Sequence, residues 1–143
     1  MKILNFRNIS FYLSITVLLT LNACKDEEVI AVPDGETDFA TAYAGVWTVN
    51  ENSSLYGQTA YEIIVEKSNN NTIRMRNFYS LTFDIGTSAT VTESSILISQ
   101  QTVNGQSING SGSLINNGKT MNLTYTANDG SGPDNCTATA TKQ

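Results

Sequence analysis

No histidine occurs anywhere in the 143 residues. That absence removes the side chain most often used as a general base near neutral pH and as a metal ligand. It also removes the Ser-His and Cys-His nucleophile pairs. No Ser-x-x-Lys follows residue 24, so lysine-assisted serine chemistry has no local signature either. Basic residues are scarce, eight against thirteen acidic ones. Lys2 and Arg7 precede Cys24 and every acidic residue follows it, which leaves the part from Cys24 onward at net −7. Nucleic-acid binding needs clustered Lys and Arg, and docking to anionic lipid needs a basic patch; neither is expected here. Cysteine occurs twice, at Cys24 and Cys136, too few for a disulfide framework. Proline also occurs twice, and helix signals are missing from Phe39 onward.

The longest apolar run, Ile9 to Leu21, follows the positive charges Lys2 and Arg7. A basic start followed by such a run reads as a secretory signal, residues 1–23. As a helix it would span about 20 Å, short of the roughly 30 Å hydrocarbon core of a bilayer, so a transmembrane anchor is the poorer reading. From Cys24 to about residue 41 the chain reads as an acidic, flexible linker containing Pro33 and Gly35. Such a tether reaches roughly 20 Å. Residues 42–143 form one small domain.

Leu21-Asn22-Ala23-Cys24 resembles the lipobox of bacterial lipoproteins. The resemblance implies that Cys24 is fatty-acylated, with palmitate-type chains, and becomes the first residue of the mature protein. Each buried methylene contributes about 0.8 kcal/mol, so two or three chains anchor stably where one binds reversibly. Lys25-Asp26-Glu27-Glu28 resembles the lipoprotein export signal of Bacteroidota. It implies a location on the outer membrane, facing the cell exterior. On charge alone the same residues are a solvated spacer.

The domain reads as all-β. Tyr61, Ile63 and Val65 alternate with Glu62 and Glu66. Ile73 and Met75 alternate with Arg74 and Arg76, and Met121, Leu123, Tyr125 and Ala127 alternate with Asn122, Thr124 and Thr126. A period of two with one polar face is the pattern of a strand wet on one side. Asn104-Gly105, Asn117-Gly118 and Asp129-Gly130 suit type I′ turns, whose central residues take positive φ. Strands are expected at 43–50, 58–67, 72–78, 87–93, 95–100, 106–115, 119–127 and 135–142. Within Ser80 to Gly86, Leu81, Phe83 and Ile85 would extend either neighbour. Eight strands joined by short turns predict an antiparallel meander closed as an up-and-down barrel, with a β-sandwich as the alternative.

Ala44-Gly45-Val46-Trp47-Thr48 resembles the Gly-x-Trp opening of lipocalins, whose tryptophan plugs the closed end of the barrel. Ile98-Ser99-Gln100-Gln101, Ile108 to Gly112, Leu123 to Thr126 and Asp134 to Thr139 are similar to the small lipocalin-like lipoproteins of Bacteroidota. Two positions depart from the pattern. A second cysteine often found in the first hairpin is replaced by Glu51-Asn52-Ser53-Ser54, and Lys142 is the candidate for the arginine that packs on the tryptophan.

Three groups of residues are candidate sites. Glu62, Glu66 and Asp84 are paired-carboxylate candidates for glycoside hydrolysis, but Glu62 and Glu66 fall on the wet strand face. No catalytic residue is expected, and no cofactor. Asn128 to Asn135 gathers hard oxygen ligands in a Gly-rich loop, yet lacks the spacing and terminal glutamate of an EF-hand, so it reads as a hairpin loop and no metal is assigned. The aromatic residues Trp47, Tyr56, Tyr61, Phe78, Tyr79 and Tyr125 are the candidate ligand-binding set. Of these, Trp47, Tyr61 and Tyr125, with Met75 and Met121, are expected to point inward and fill much of the barrel. Tyr56, Phe78 and Tyr79 are expected in or near loops. Cys136 reads as a small buried apolar side chain. The functional expectation is a lipid-anchored, non-enzymatic surface protein that binds a small apolar molecule, a glycan or a protein. An assembly accessory of an outer-membrane complex and a lipocalin-like inhibitor are the alternatives.

Overall fold

The computed structural model describes residues 37–143. The signal-like segment, Cys24, the Lys25–Glu28 motif and all but the last residues of the expected linker lie outside the described residues.

The element order is one short helix, α1 (Ala40–Tyr43), followed by eight strands. These are β1 (Gly45–Ser53), β2 (Gly57–Asn69), β3 (Thr72–Arg76), β4 (Gly86–Val91), β5 (Ser95–Val103), β6 (Gln106–Ile115), β7 (Thr120–Asn128) and β8 (Pro133–Lys142). Each strand pairs antiparallel with the next, and β8 returns to β1 from Trp47↔Lys142 to Ser53↔Cys136. The result is a closed up-and-down barrel, so the sandwich alternative is set aside. Closure leaves no free sheet edge at the chain ends.

The period-two pattern explains the arrangement. Ile63 and Val65, Ile73 and Met75, and Met121, Leu123, Tyr125 and Ala127 are buried, while Glu62, Asn122 and Thr124 are exposed. The interior is filled by these side chains together with Trp47, Val49, Val91, Ile96, Ile98 and Ile108. On β6 the inward positions between Ile108 and Leu114 are glycines, and the side chains of β7 occupy the room. A Cβ on Gly110 would stand 2.4 Å from the Cβ of Tyr125, and one on Gly112 would stand 2.6 Å from Leu123 Cδ2.

The turns divide by chemistry. Asn104 and Gly105 have φ of 49° and 80°, as a type I′ turn requires. Around Asn117-Gly118 the left-handed run begins one residue earlier, at Asn116. At Asp129-Gly130 only the glycine is left-handed, so that loop is not type I′.

One end of the barrel is closed by the beginning and the end of the domain. The helix α1 was not anticipated from sequence; it is held because Phe39 and Ala40 both donate to the carbonyl of Asn70 in the β2–β3 turn. Trp47 is fully buried and its Nε1 donates to the carbonyl of Tyr43 at 2.8 Å. The Tyr43 hydroxyl in turn donates to the carbonyl of Thr92 at 2.9 Å. Lys142 Nζ lies 5.4 Å from the centre of the Trp47 ring and donates to the Ala42 carbonyl. Lys142 therefore covers the tryptophan, a cation over the π face.

Candidate binding site at the lidded end

Alternation along a meander sends the β1–β2, β3–β4, β5–β6 and β7–β8 connections to the end opposite Trp47. The longest of them, residues 77–85, folds over the barrel mouth. Phe78–Ser80 form a single 3-10 turn, and Asn77, Tyr79 and Ser80 all have φ between 54° and 59°. Left-handed backbone is uncommon outside glycine and asparagine, and for a bulky aromatic residue it requires surrounding structure to hold it. Those holds are present. Asn77 Nδ2 donates to the Glu62 carbonyl, Asn77 N–H to the Thr82 carbonyl, and Ser80 N–H to the Asn77 carbonyl. Phe78 is buried with its ring centre 4.6 Å from that of Tyr125, and Tyr79 meets Tyr125 edge-on at 6.1 Å.

Below this lid lie two carboxylates. Glu51 is 6 % exposed and accepts from the hydroxyls of Tyr61, at 2.5 Å, and of Tyr125. Asp134 is 1 % exposed. It accepts from Ser53 Oγ at 2.7 Å, Tyr79 Oη at 2.8 Å, Ser54 Oγ at 3.0 Å and the Leu55 N–H at 3.1 Å. Burial alone would raise the Asp134 pKa, but the donors outweigh it and hold the carboxyl down at about 2. Burial pushes the phenols of Tyr61, Tyr79 and Tyr125 well above the usual tyrosine range, and the neighbouring carboxylates add to the shift. Burial, then Glu51 and Asp134, pushes the Cys136 thiol up to about 12, so it is a thiol and not a thiolate at neutral pH.

The aromatic set separates accordingly. Tyr61, Phe78, Tyr79 and Tyr125 come together at the lidded end. Tyr56 stands at the tip of the β1–β2 turn, 69 % exposed, and Trp47 is at the opposite end as the plug. Glu51 and Asp134 were missed as interior residues. A signal existed, because Glu51 continues the inward phase of Trp47 and Val49, and Asp134 that of Cys136, Ala138 and Ala140. The carboxylates weighed for catalysis are not gathered: Glu62 and Asp84 are exposed, and Glu66 pairs with Arg76 at 2.8 Å. In the 128–135 loop, Asp129 accepts from Ser131, and Asp134 turns away into the barrel. Among the described residues no group of three or more His, Cys, Asp or Glu side chains is placed to hold a metal.

No family model matches the chain, and no curated protein sequence matches it. Its likenesses are to solved structures. A redesigned β-barrel, b11L5F_LGL, superposes with a TM-score of 0.55 at 16% identity, over 75% of this chain and 96% of that one. A second redesigned barrel, mFAP1, bound to DFHBI, gives 0.55 at 15% identity, over 74% of this chain and all of the other. A protein of unknown function from Bacteroides ovatus gives 0.51 at 9% identity over 71% of this chain, which covers 42% of that protein. At these identities the likeness shows the eight-stranded antiparallel barrel and nothing finer.

Proposed function

We propose that this is a lipid-anchored surface protein, of the lipocalin-like lipoprotein kind its sequence motifs resemble, which binds a partner protein through the lidded end and catalyses nothing. The observation that carries the reading is the exposure of Leu55, Tyr56 and Phe83, at 57 %, 69 % and 42 %, on the connections of that end. The chain enters the barrel at the other end, through Phe39 and α1. Apolar and aromatic side chains on short loops above a rigid barrel are the usual material of recognition surfaces. The filled interior supports a protein partner over a small apolar ligand. Outer-membrane attachment through Cys24, with Lys25–Glu28 directing the protein outward, completes the reading.

The test is site-specific. A photoreactive phenylalanine analogue replaces Tyr56, Phe83 or, as a control at the opposite end, Asn117, in cells producing the full chain. We expect one discrete adduct from positions 56 and 83 and none from 117. No adduct, or equal adducts from all three, would reject the site. Titration with DFHBI, to which the mFAP1 barrel is bound, separates the small-molecule reading; the packed interior predicts no binding. The anchor is tested separately: Cys24→Ser is expected to release the protein from the membrane fraction.

A further inference from the structure

Three connections of the lidded end adjoin one another. The β1–β2 turn, which carries Leu55 and Tyr56, is bound on one flank to the start of β8. There Ser54 N–H donates to the Asn135 carbonyl at 3.0 Å, and Asn135 N–H donates to Ser54 Oγ at 2.9 Å. On the other flank Asp134 links the turn to the lid, accepting from the Leu55 N–H and from the Tyr79 hydroxyl. Leu55, Tyr56 and Phe83 thus stand on a rim that also includes the 129–132 loop.

The charges on that rim have one sign. Asp84 follows Phe83 on the lid, and Asp129 lies in the loop that leads into β8; both are exposed. Among the described residues neither carboxylate takes part in an ion pair. Beneath them Asp134 is ionised, because its donors hold its pKa at about 2. A charge in the packed interior is screened less than one in water, so its field adds to theirs. The cations lie elsewhere. Lys67 and Lys142 donate to Asp38 and to the Ala42 carbonyl at the end closed by Trp47, and Lys119 neighbours Lys142 there. Arg74 and Arg76 stand on the outer wall, where Glu62 and Glu66 match them in number and Arg76 is held by Glu66 at 2.8 Å.

We propose that the partner recognised at the lidded end is basic: a protein segment in which lysine or arginine stands beside an apolar or aromatic side chain. The inference rests on the binding site proposed above and adds the chemistry of its occupant. Leu55, Tyr56 and Phe83 pack against the apolar side chains, and the two rings also offer their faces to a cation. Asp84 and Asp129 draw the flanking cations, which favours encounter and selectivity more than affinity. An acidic partner meets like charge on this rim, with no cation to offset it.

The probes are two blocked peptides, acetyl-Lys-Leu-Lys-Phe-Lys-amide and its counterpart with glutamate for each lysine. Each is titrated into the full chain, solubilised in non-ionic detergent, and followed by amide NMR. The lysine peptide is expected to shift residues 54–57, 82–85 and 129–132, and to bind about tenfold more tightly than the glutamate peptide. Raising sodium chloride from about 50 to about 300 mM should weaken it severalfold. Asp84→Asn combined with Asp129→Asn, at two exposed positions, should remove most of the preference. Equal binding of the two peptides, tighter binding of the glutamate peptide, shifts centred away from the rim, or no shift at millimolar peptide would each overturn the proposal. The peptide comparison uses the unmodified protein, so it stands whether or not the double variant folds. The photoreactive analogues at positions 56 and 83 decide the site separately. Adducts there, with peptides that bind alike, keep the site and remove the basic partner; no adducts remove both.

Discussion

The hydroxyl of Tyr79 donates to Asp134 Oδ2 at 2.8 Å, fastening a residue with φ of 55° on the lid to the start of β8. The bond spans 55 positions of sequence and offsets a backbone conformation that a tyrosine rarely adopts. Tyr79→Phe removes the bond but leaves the ring beside Tyr125. We expect a loss of about 1 kcal/mol in urea unfolding, the ordinary net worth of such a bond. Hydrogen exchange over residues 77–85 should quicken by more than that of the strands. Unchanged exchange in the lid would mean that Phe78 and the Asn77 hydrogen bonds hold it without the Tyr79 hydroxyl.

Asp134 makes the same end sensitive to acid. Its carboxyl is held at about 2, below the ordinary value of 3.8, so the unfolded chain takes up the proton more readily. The stabilisation is therefore complete above about pH 4 and is lost as pH falls through 2. Asp134→Asn should be less stable at neutral pH by about 1–3 kcal/mol, through mismatched buried donors, yet should lose less on acidification. Unfolding midpoints measured from pH 7 to pH 2 check this. Parallel curves for the two proteins would show that other groups govern acid sensitivity.

The sequence revealed the barrel wherever alternation was clean, as along Tyr61 to Val65 and Met121 to Ala127. Those residues sit in strands whose one face is core, and the period of two is a direct record of that. The lid was not legible. Leu81, Phe83 and Ile85 have the spacing of a strand, but the backbone there is set by distant partners such as Glu62 and Asp134, which no local pattern announces. The inward place of Glu51 was not legible for a related reason: it lies one residue past the strand expected at 43–50, and a carboxylate suggests water, whereas two tyrosine hydroxyls satisfy it inside. Lys142 was legible as the residue to cover Trp47 only through the family resemblance. The register shift of β5 against β6 between Ile98 and Gln101 is likewise unmarked in a sequence of common strand residues.

Alkali should act cooperatively. Burial raises the pKa of Tyr43 to about 12 and those of Tyr61, Tyr79 and Tyr125 further. Below pH 10 these phenols are neutral in both folded and unfolded chains and their contribution is intact; above it, only the unfolded chain ionises them readily. Stability is therefore expected to fall from about pH 10 upward. Tyrosinate absorbance of the buried residues should appear together with loss of the β circular-dichroism signal. Stepwise ionisation of Tyr43, Tyr61, Tyr79 and Tyr125 with the β signal intact would contradict their placement.

Gly110 separates two reasons for a glycine. A Cβ there would meet Tyr125 Cβ at 2.4 Å and the Thr124 carbonyl at 2.5 Å, and backbone on the neighbouring strand cannot step aside. Gly105, in contrast, has φ of 80° and open space around it, so alanine meets only conformational strain. Overpacking against a fixed strand costs about 3 kcal/mol or more, and left-handed strain about 1 kcal/mol. Gly110→Ala should accordingly be much the more damaging, and replacing Tyr125 with alanine should not rescue it, because the clash includes the Thr124 carbonyl. Urea midpoints of the two glycine variants decide the matter. A Gly105→Ala loss equal to or larger than that of Gly110→Ala would mean that β6 and β7 stand further apart than their register implies.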